Sequence, residues 1–411
     1  MRFIVEIFNT IFNMFSMYSF VLLMLFVFIL FICFTNARNH LGITLFVFVI
    51  FLSTIAYFFD PIKAYEVNGN YTDLYRFWED MKEFQNSGWN SENMQTSYEN
   101  IIVVKILVYL VARTGNFNLL AALSSFLTYG SFAILLILVK KRFNVQNKVL
   151  IILFFIFIAL INFKVTITNV RMPIGMGFFS LALFLDVFNH NRIGSIVLYV
   201  VSCFIHMVFP VFILLRVLSI IAFKTKSLIM IIILCLIAIF STISIQNISY
   251  FLDNFKSTEY FAHLLNKIEF YTSEDMVNYI EVPALITYIS KMVLLCITLV
   301  YSYKNIFSNN DKKIFKEFYI FTLLFLCFTI GSVWSYYLFN RLTNFMCYLI
   351  VLWIAMLNKR ESKIEVSDNF MFGPELTLTY RITYFNITLT LILIFNLAYY
   401  FISYQYRVLC F

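Results

Sequence analysis

Apolar stretches of about twenty residues alternate with short polar connections along nearly the whole chain. A helix needs about 20 mostly apolar residues to cross a bilayer, and it satisfies its own backbone hydrogen bonds there. The pattern therefore predicts an all-α, polytopic membrane protein with about 10–12 spans in one transmembrane domain, residues 1–411. The clear predicted spans are residues 15–35, 41–59, 116–139, 149–163, 172–188, 227–246, 284–303, 317–335, 342–357 and 382–404.

The charged residues in the connections predict an orientation. Lys and Arg are concentrated in short connections, which favours the cytoplasmic side for them. These connections lie at 140–148, 224–226, 304–316 and 359–363. Two longer, acid-rich loops, 60–100 and 246–283, are expected outside, and 358–381 is expected to be an inner loop.

The apolar stretch 100–113 does not fit a complete crossing. An odd number of crossings must separate the outer loop 60–100 from the inner cluster that begins at Lys140. Segment 116–139 supplies one crossing, so the shorter stretch, which carries Lys105, is expected to lie in the membrane plane or to be re-entrant.

The apolar stretch 193–223 lies between two basic positions, Arg192 and Lys224, that are both expected inside. It is therefore predicted to enter and return as two half-length helices that break near His206–Pro210. A single long span, with one charge assignment reversed, is the alternative. Irregular backbone at membrane depth needs protein or a water-filled cavity around it, so these segments predict a buried polar cavity that opens outward.

Composition supports a membrane protein and removes several other classes. Of the 411 residues, 62% are hydrophobic and 13% are charged, whereas soluble domains are nearer half apolar and a quarter charged. The net charge of +8 follows the positive-inside pattern, so no nucleic-acid partner is expected. The seven Cys form no CxxC motif or Cys/His cluster, so neither a zinc site nor a disulfide framework is indicated. No other metal and no cofactor is expected.

Ionisable residues at predicted span boundaries are the first candidates for function, because charge in or near lipid is unfavourable without a reason. Arg171 opens span 172–188 on the predicted outer side, with Pro173 in the first helical turn and with Gly175 and Gly177 following. A cation beside a helix N-terminus is unfavourable unless an anion lies between them, which predicts an anion site. An Arg that extends to lipid headgroups is the alternative.

Two further positions carry candidate chemistry at the predicted outer side. Arg341 stands among aromatic residues at the start of span 342–357, where a headgroup-binding Arg is the alternative. His206 lies in an apolar run near the predicted break, and its imidazole is suited to act as a general base or a hydrogen-bond donor, although a structural His is the alternative.

The outer loop 60–100 contains a short segment with both charge and aromatic surface. Asp73 and Arg76 are three residues apart and share a face if the segment is helical. Tyr75 and Trp78 offer flat apolar rings against which sugars can stack. A solvated surface ion pair is the alternative interpretation.

Five short segments between about residues 55 and 220 form a recognisable series. They are Asp-Leu-Tyr-Arg-Phe-Trp (73–78), Arg-Thr-Gly-Asn-Phe-Asn-Leu-Leu (113–120), Asn-Val-Arg-Met-Pro (169–173), Asn-His-Asn-Arg (189–192) and Ile-His (205–206). In their order and spacing they resemble the EpsG family, within the broader Wzy-type O-antigen and capsule polymerases, and Asn340 with Arg341 adds a late match. The chain departs from the family pattern at Met172-Pro173 and at Met207-Val208.

The resemblance implies a GT-C-like membrane enzyme in the bacterial inner membrane, with its site facing the periplasm or cell exterior. Such an enzyme joins oligosaccharide repeat units carried on a polyprenyl diphosphate, without a nucleotide sugar or ATP. Arg171, Arg341 and Arg76 would bind the diphosphate, Tyr75 and Trp78 the sugar, and either Asp73 or His206 would be the base. The implied partners are the lipid-linked substrate, membrane lipids, a chain-length regulator and a flippase.

Other functions remain open on the sequence. A polysaccharide ligase or another polyprenyl-phosphate glycosyltransferase would use the same substrates. A flippase for the same units is expected to show two similar halves and charges near the middle of the membrane, and no such repeat is evident. A membrane O-acyltransferase has only His206 in its favour.

Overall fold

The computed structural model describes residues 40–62, 72–90, 102–161, 163–225, 228–252, 282–306, 312–334 and 336–358. Helices cover about 90% of these residues, and none of them forms a strand. The prediction of an all-α fold is confirmed. The predicted spans 15–35 and 382–404 lie outside the described residues, as do most of the loops 246–283 and 358–381.

The chain divides into two compact units, which are described separately. The first contains the helices up to Phe184 and the segment Arg192–Met207, and the second contains Leu185–Asn191 and Val208–Leu357. The prediction of one transmembrane domain stays a prediction. The helices begin in the first unit with α1 (Leu41–Tyr57), α2 (Asp73–Ser87), α3 (Ile102–Arg113), α4 (Asn118–Phe143), α5 (Asn147–Leu160), α6 (Phe163–Thr168), α7 (Arg171–Val187) and α8 (Arg192–Ile205). The second unit contains α9 (Phe209–Thr225), α10 (Leu228–Leu252), α11 (Val282–Ile306), α12 (Lys312–Gly331) and α13 (Tyr336–Leu357).

Three of the described helices are long and apolar enough to cross a membrane. They are Asn118–Phe143, Lys313–Gly331 and Leu338–Leu357, which belong to α4, α12 and α13. Shorter apolar helical segments of 10–17 residues are Leu41–Tyr57, Asn147–Leu160, Arg192–Ile205, Leu228–Phe240 and Thr287–Tyr303. These helices are compatible with a membrane protein, while the larger number of crossings stays a prediction.

The two apolar stretches that did not fit a complete crossing form short helices. Helix α3 has 12 residues and is therefore about 18 Å long, shorter than the roughly 30 Å hydrocarbon core of a bilayer. Stretch 193–223 is broken at His206–Val208 between α8 and α9, so a single continuous helix is wrong. Pro210 is the second residue of α9, where its missing N–H removes no helical hydrogen bond.

The segment predicted as part of an outer loop contains an amphipathic helix, α2. Its apolar side buries Leu74, Phe77, Met81 and Phe84, and the helix packs against α3. The Thr72 side chain accepts a hydrogen bond from the N–H of Tyr75 and caps the first turn. Gly88, with φ at 72°, ends the helix in a conformation that favours glycine.

The core of the first unit is built on α4, which packs along α1 and α5. The rings of Phe132 and Phe157 stack with centroids 3.6 Å apart, and Phe48 contacts Phe154 at 6.0 Å. On α7, Gly177 approaches α4 so closely that a Cβ built there would collide with the side chain of Ser131. Gly177 is therefore covered by a neighbouring helix.

The core of the second unit is built on α13, which packs against α11 and α12. Of an apolar stretch of 18 residues in α13, 83% is buried, which makes this helix the central one of the unit. Trp353 donates a hydrogen bond from Nε1 to Thr322 Oγ1 at 3.1 Å. Arg216 of α9 binds both Asp186 and Glu317 and thereby connects α9 to the end of α7 and the start of α12.

Candidate functional site

The central feature of the candidate site is a bidentate ion pair between Arg171 and Asp73. The Arg171 Nη2 and Nε groups donate to the two carboxylate oxygens of Asp73 at 3.0 and 3.2 Å. The side chains are 10% and 16% exposed, so both charges are largely removed from solvent. The residues are 98 positions apart in sequence. A pair with this geometry requires α2 and α7 to be placed together by the fold.

Both members of the pair lie at the first residue of a helix, and the helix dipoles affect them differently. Asp73 begins α2, where a carboxylate is favourable beside the free N–H groups. Arg171 begins α7, where a cation is unfavourable without a nearby anion. The sequence predicted an anion next to Arg171, and Asp73 supplies that negative charge in the structure. Binding of a substrate anion by Arg171 stays a prediction.

Aromatic rings surround the pair and connect it to a third segment. The Phe77 ring lies 5.8 Å from Arg171 Cζ, within the range of a cation–π contact. Trp78, one residue further along α2, contacts Phe117 edge-to-face with centroids 5.8 Å apart. Phe117 belongs to the turn between α3 and α4. Segments 73–78, 113–120 and 169–173, which carry the family resemblance, therefore meet in the first unit.

The turn at 113–120 is fixed by local hydrogen bonds that follow from its residue types. Thr114 Oγ1 donates to the carbonyl of Val111 at 2.7 Å, and Gly115 has φ at 73°, which suits glycine. Asn116 donates from Nδ2 to the Tyr57 hydroxyl on α1. These contacts hold Phe117 where it can contact Trp78.

The other candidate residues of α2 are half-buried. Asp73 and Arg76, which the sequence placed on one helical face, lie in the first turn of α2, and Asp73 forms an ion pair with Arg171. Trp78 is half-buried, and the Lys82 ammonium lies 3.5 Å from its ring centroid. Tyr75 and Arg76 are half-buried as well. Sugar stacking on Tyr75 and Trp78 stays a prediction, as does diphosphate binding by Arg76.

His206 is buried and directly follows α8. It is 7% exposed, and its backbone N–H donates to the carbonyl of Ser202 at 3.1 Å. It belongs to the first unit together with Asp73 and Arg171, and α8 packs against α3. A role as a base stays a prediction.

Arg341 belongs to the second unit, near the start of α13, and is half-buried. The next turn of this helix carries Asn344, whose Oδ1 accepts a hydrogen bond from Lys291 Nζ of α11 at 3.0 Å. Asn344 in turn donates from Nδ2 to Asn340 Oδ1 at 3.0 Å. Arg341 is thus placed beside a buried polar network of its own unit.

Four buried or partly buried charges of the second unit were missed by the sequence analysis. They are Asp186, Arg216, Lys291 and Glu317, and each lies within or at the edge of a predicted span or an apolar run. An ionisable residue inside an apolar span was the signal that could have found them. The sequence could not show that Arg216 binds both carboxylates, because the three residues lie on separate helices.

The described part of the chain contains no set of side chains suited to bind a metal ion. Among the described residues, no group of three or more His, Cys, Asp or Glu side chains could hold a metal ion. The candidate residues of the first unit offer a guanidinium, a carboxylate, an imidazole and aromatic rings.

The described residues thus form an all-α protein with helices that are long and apolar enough to span a membrane. Its candidate site contains a largely buried ion pair between Arg171 and Asp73. Comparison with known proteins found no matching family model, no matching curated protein and no matching solved structure.

Proposed function

We propose that this chain is a Wzy-type membrane polymerase of lipid-linked oligosaccharides. It joins repeat units carried on polyprenyl diphosphate at the outer face of the bacterial inner membrane and produces O-antigen or capsular polysaccharide. The observation that carries the proposal is the meeting of segments 73–78, 113–120 and 169–173 through the Asp73–Arg171 and Trp78–Phe117 contacts. These segments carry the resemblance to the EpsG family, and their contacts support a common site.

The proposal includes the membrane arrangement that the sequence predicts. The chain forms a polytopic, GT-C-like helical domain, in which residues 100–113 and 193–223 are in-plane or re-entrant segments. The short α3 and the break at His206–Val208 support this arrangement. Arg171 would then face the aqueous side on which the lipid-linked diphosphate is presented.

The reaction is a glycosyl transfer from one lipid carrier to another repeat unit. An acceptor hydroxyl oxygen forms a bond to C1 of the donor sugar, while the bond from C1 to the diphosphate oxygen breaks. The diphosphate leaves with the electron pair, and the hydroxyl proton passes to a base. Arg171 is suited to stabilise the charge that develops on the diphosphate, because its fork matches phosphate oxygens and it is shielded from water.

Asp73 has a clear part in this scheme as the partner of Arg171. Its two oxygens hold the guanidinium fork in one orientation before the substrate binds. An incoming diphosphate would exchange with this carboxylate at the fork. The exchange would leave Asp73 able to accept a proton close to the leaving group.

His206 is the second candidate for the base, and the two residues can be separated by experiment. His206→Ala removes the imidazole and leaves the Asp73 and Arg171 side chains unchanged in the sequence. Loss of chain growth in a folded His206→Ala variant would assign the base to His206, and normal chain growth would leave Asp73 in that role.

Gene deletion tests the proposed function as a whole. A polymerase-deficient strain should retain a single repeat unit attached to its lipid core and should lack longer chains. Complete loss of surface sugar, with lipid-linked units trapped on the cytoplasmic side, would contradict a polymerase and favour a flippase. Lipid-linked polymer that accumulates outside without transfer would favour a ligase.

A further inference from the structure

Lys291 is a buried cation in the second unit whose observed partners are neutral. It lies on α11 and is 1% exposed. Its Nζ donates to Asn344 Oδ1 at 3.0 Å and lies 5.9 Å from the Tyr288 ring centroid. Burial of an ammonium is strongly unfavourable unless a negative group compensates it.

The described carboxylates of the second unit form ion pairs with a residue other than Lys291. They are Asp186 and Glu317, and both bind Arg216. Among the described residues, Lys291 forms no ion pair with a carboxylate. No described carboxylate of the second unit therefore supplies a negative charge that balances this ammonium.

The residues beside Lys291 are arranged as a binding site rather than as a closed pair. Asn340 accepts a hydrogen bond from Asn344 Nδ2, which turns Asn344 Oδ1 toward Lys291. The ammonium has three N–H groups, and the amide oxygen uses one of them. Arg341 stands one helical turn before Asn344 on the same side of α13. The helix that carries the amide therefore also carries a second cation, one turn from Asn344.

We propose that Lys291 and Arg341, with Asn344 orienting the ammonium, bind a phosphate group of a lipid-soluble molecule. Phosphate offers several acceptor oxygens and negative charge, which suit an ammonium together with a guanidinium fork. The site belongs to the second unit. That the phosphate belongs to a polyprenyl diphosphate rests on the proposed function, whereas phosphate binding itself does not.

Binding of inorganic pyrophosphate tests the site directly. The full chain, reconstituted in phosphatidylcholine nanodiscs, is titrated with pyrophosphate, and binding is followed by isothermal calorimetry. Lys291→Met should weaken one binding step by about tenfold or more, because a charge-assisted hydrogen bond is lost. Asn344→Asp should weaken the same step, because the new carboxylate would pair with Lys291 and repel the anion.

Two controls make the result specific. Lys313→Met removes an exposed lysine of α12 and should leave pyrophosphate binding unchanged. Thermal unfolding of each variant reports folding separately, and Asn344→Asp should unfold at a higher temperature because it forms an internal ion pair.

The lipid source of the phosphate is tested by changing the nanodisc. If phosphatidylglycerol weakens the Lys291-dependent step in the wild type, a lipid headgroup occupies the site. If it has no effect, the site accepts the phosphate of another molecule. Equal pyrophosphate binding by the wild type, Lys291→Met and Asn344→Asp, or no binding by the wild type, would overturn the proposal. A strain with normal polymer after gene deletion would remove the polymerase function and leave this binding result standing.

Discussion

At the scale of single residues, Arg171 shows how local charge and helix position combine. Its guanidinium lies at the start of α7, against the helix dipole, and is held by both oxygens of Asp73. The planar fork makes two parallel hydrogen bonds that a lysine cannot reproduce. This difference between arginine and lysine leads to a sharp test of the proposed diphosphate contact.

Arg171→Lys and Arg171→Ala should both impair polysaccharide chain growth. Loss of one charge-assisted hydrogen bond is worth about 1.5–3 kcal/mol, which corresponds to a rate loss of about tenfold to a hundredfold. Chain length is measured on gels of surface polysaccharide, with membrane levels of each variant as the control. Normal chain length in both variants would remove the proposed contact between Arg171 and the diphosphate.

Asp73→Asn and Arg171→Lys should not have additive effects. The two side chains act on each other directly, so the double variant should be closer to the worse single variant than to the product of both defects. Polymer formation is measured in isolated membranes supplied with lipid-linked repeat units. The rates of the two single variants and the double variant are each compared with that of the wild type. Strictly additive defects would show that Asp73 and Arg171 contribute independently.

At the scale of helices, one close approach decides how α7 packs on α4. A Cβ at Gly177 would collide with Ser131, whereas a Cβ at Gly130 would meet Val49 Cγ1 at an ordinary distance of 3.8 Å. Small residues at such contacts allow helix backbones to approach closely, which favours association in a membrane. The two glycines therefore form a matched pair for experiment.

Gly177→Ala should destabilise the protein by about 1–3 kcal/mol through overpacking. Gly130→Ala should change stability far less, since its Cβ has room. Thermal unfolding in detergent compares the two variants, and Ser131→Gly should partly rescue Gly177→Ala by removing the colliding side chain. Equal unfolding temperatures for both glycine variants would show that the α4–α7 contact is looser than described.

The helix scale is also where sequence reasoning was most and least successful. The break at His206–Val208 was anticipated because loop charge required an even number of crossings between Arg192 and Lys224. Helix α2 was not anticipated as a packed element, because its polar side chains made the segment look like part of a loop. Its buried side becomes evident only in the tertiary structure, where the helix packs against α3 and the Phe84 ring contacts Tyr109 with centroids 5.4 Å apart.

At the scale of the whole molecule, orientation in the membrane is the prediction with the widest consequences. In a cysteine-free background, Ser87→Cys in α2 should react with a membrane-impermeant maleimide added to intact spheroplasts. Lys141→Cys in α4 should react only after permeabilisation, because the basic connection is expected inside. Both positions are exposed, so access to the reagent depends on the side of the membrane. The reverse labelling would contradict an outward-facing site.

The sequence by itself determined the all-α class, the apolar helices and the residues with unusual charge, because hydrophobic periodicity and span length are local properties. It also singled out Asp73 and Arg171, although as separate candidates. Only the tertiary structure decided that these two bind each other across 98 positions and that Arg216 binds Asp186 and Glu317. Which charges meet depends on how helices pack, and that is set by the shape of many side chains together rather than by any local pattern.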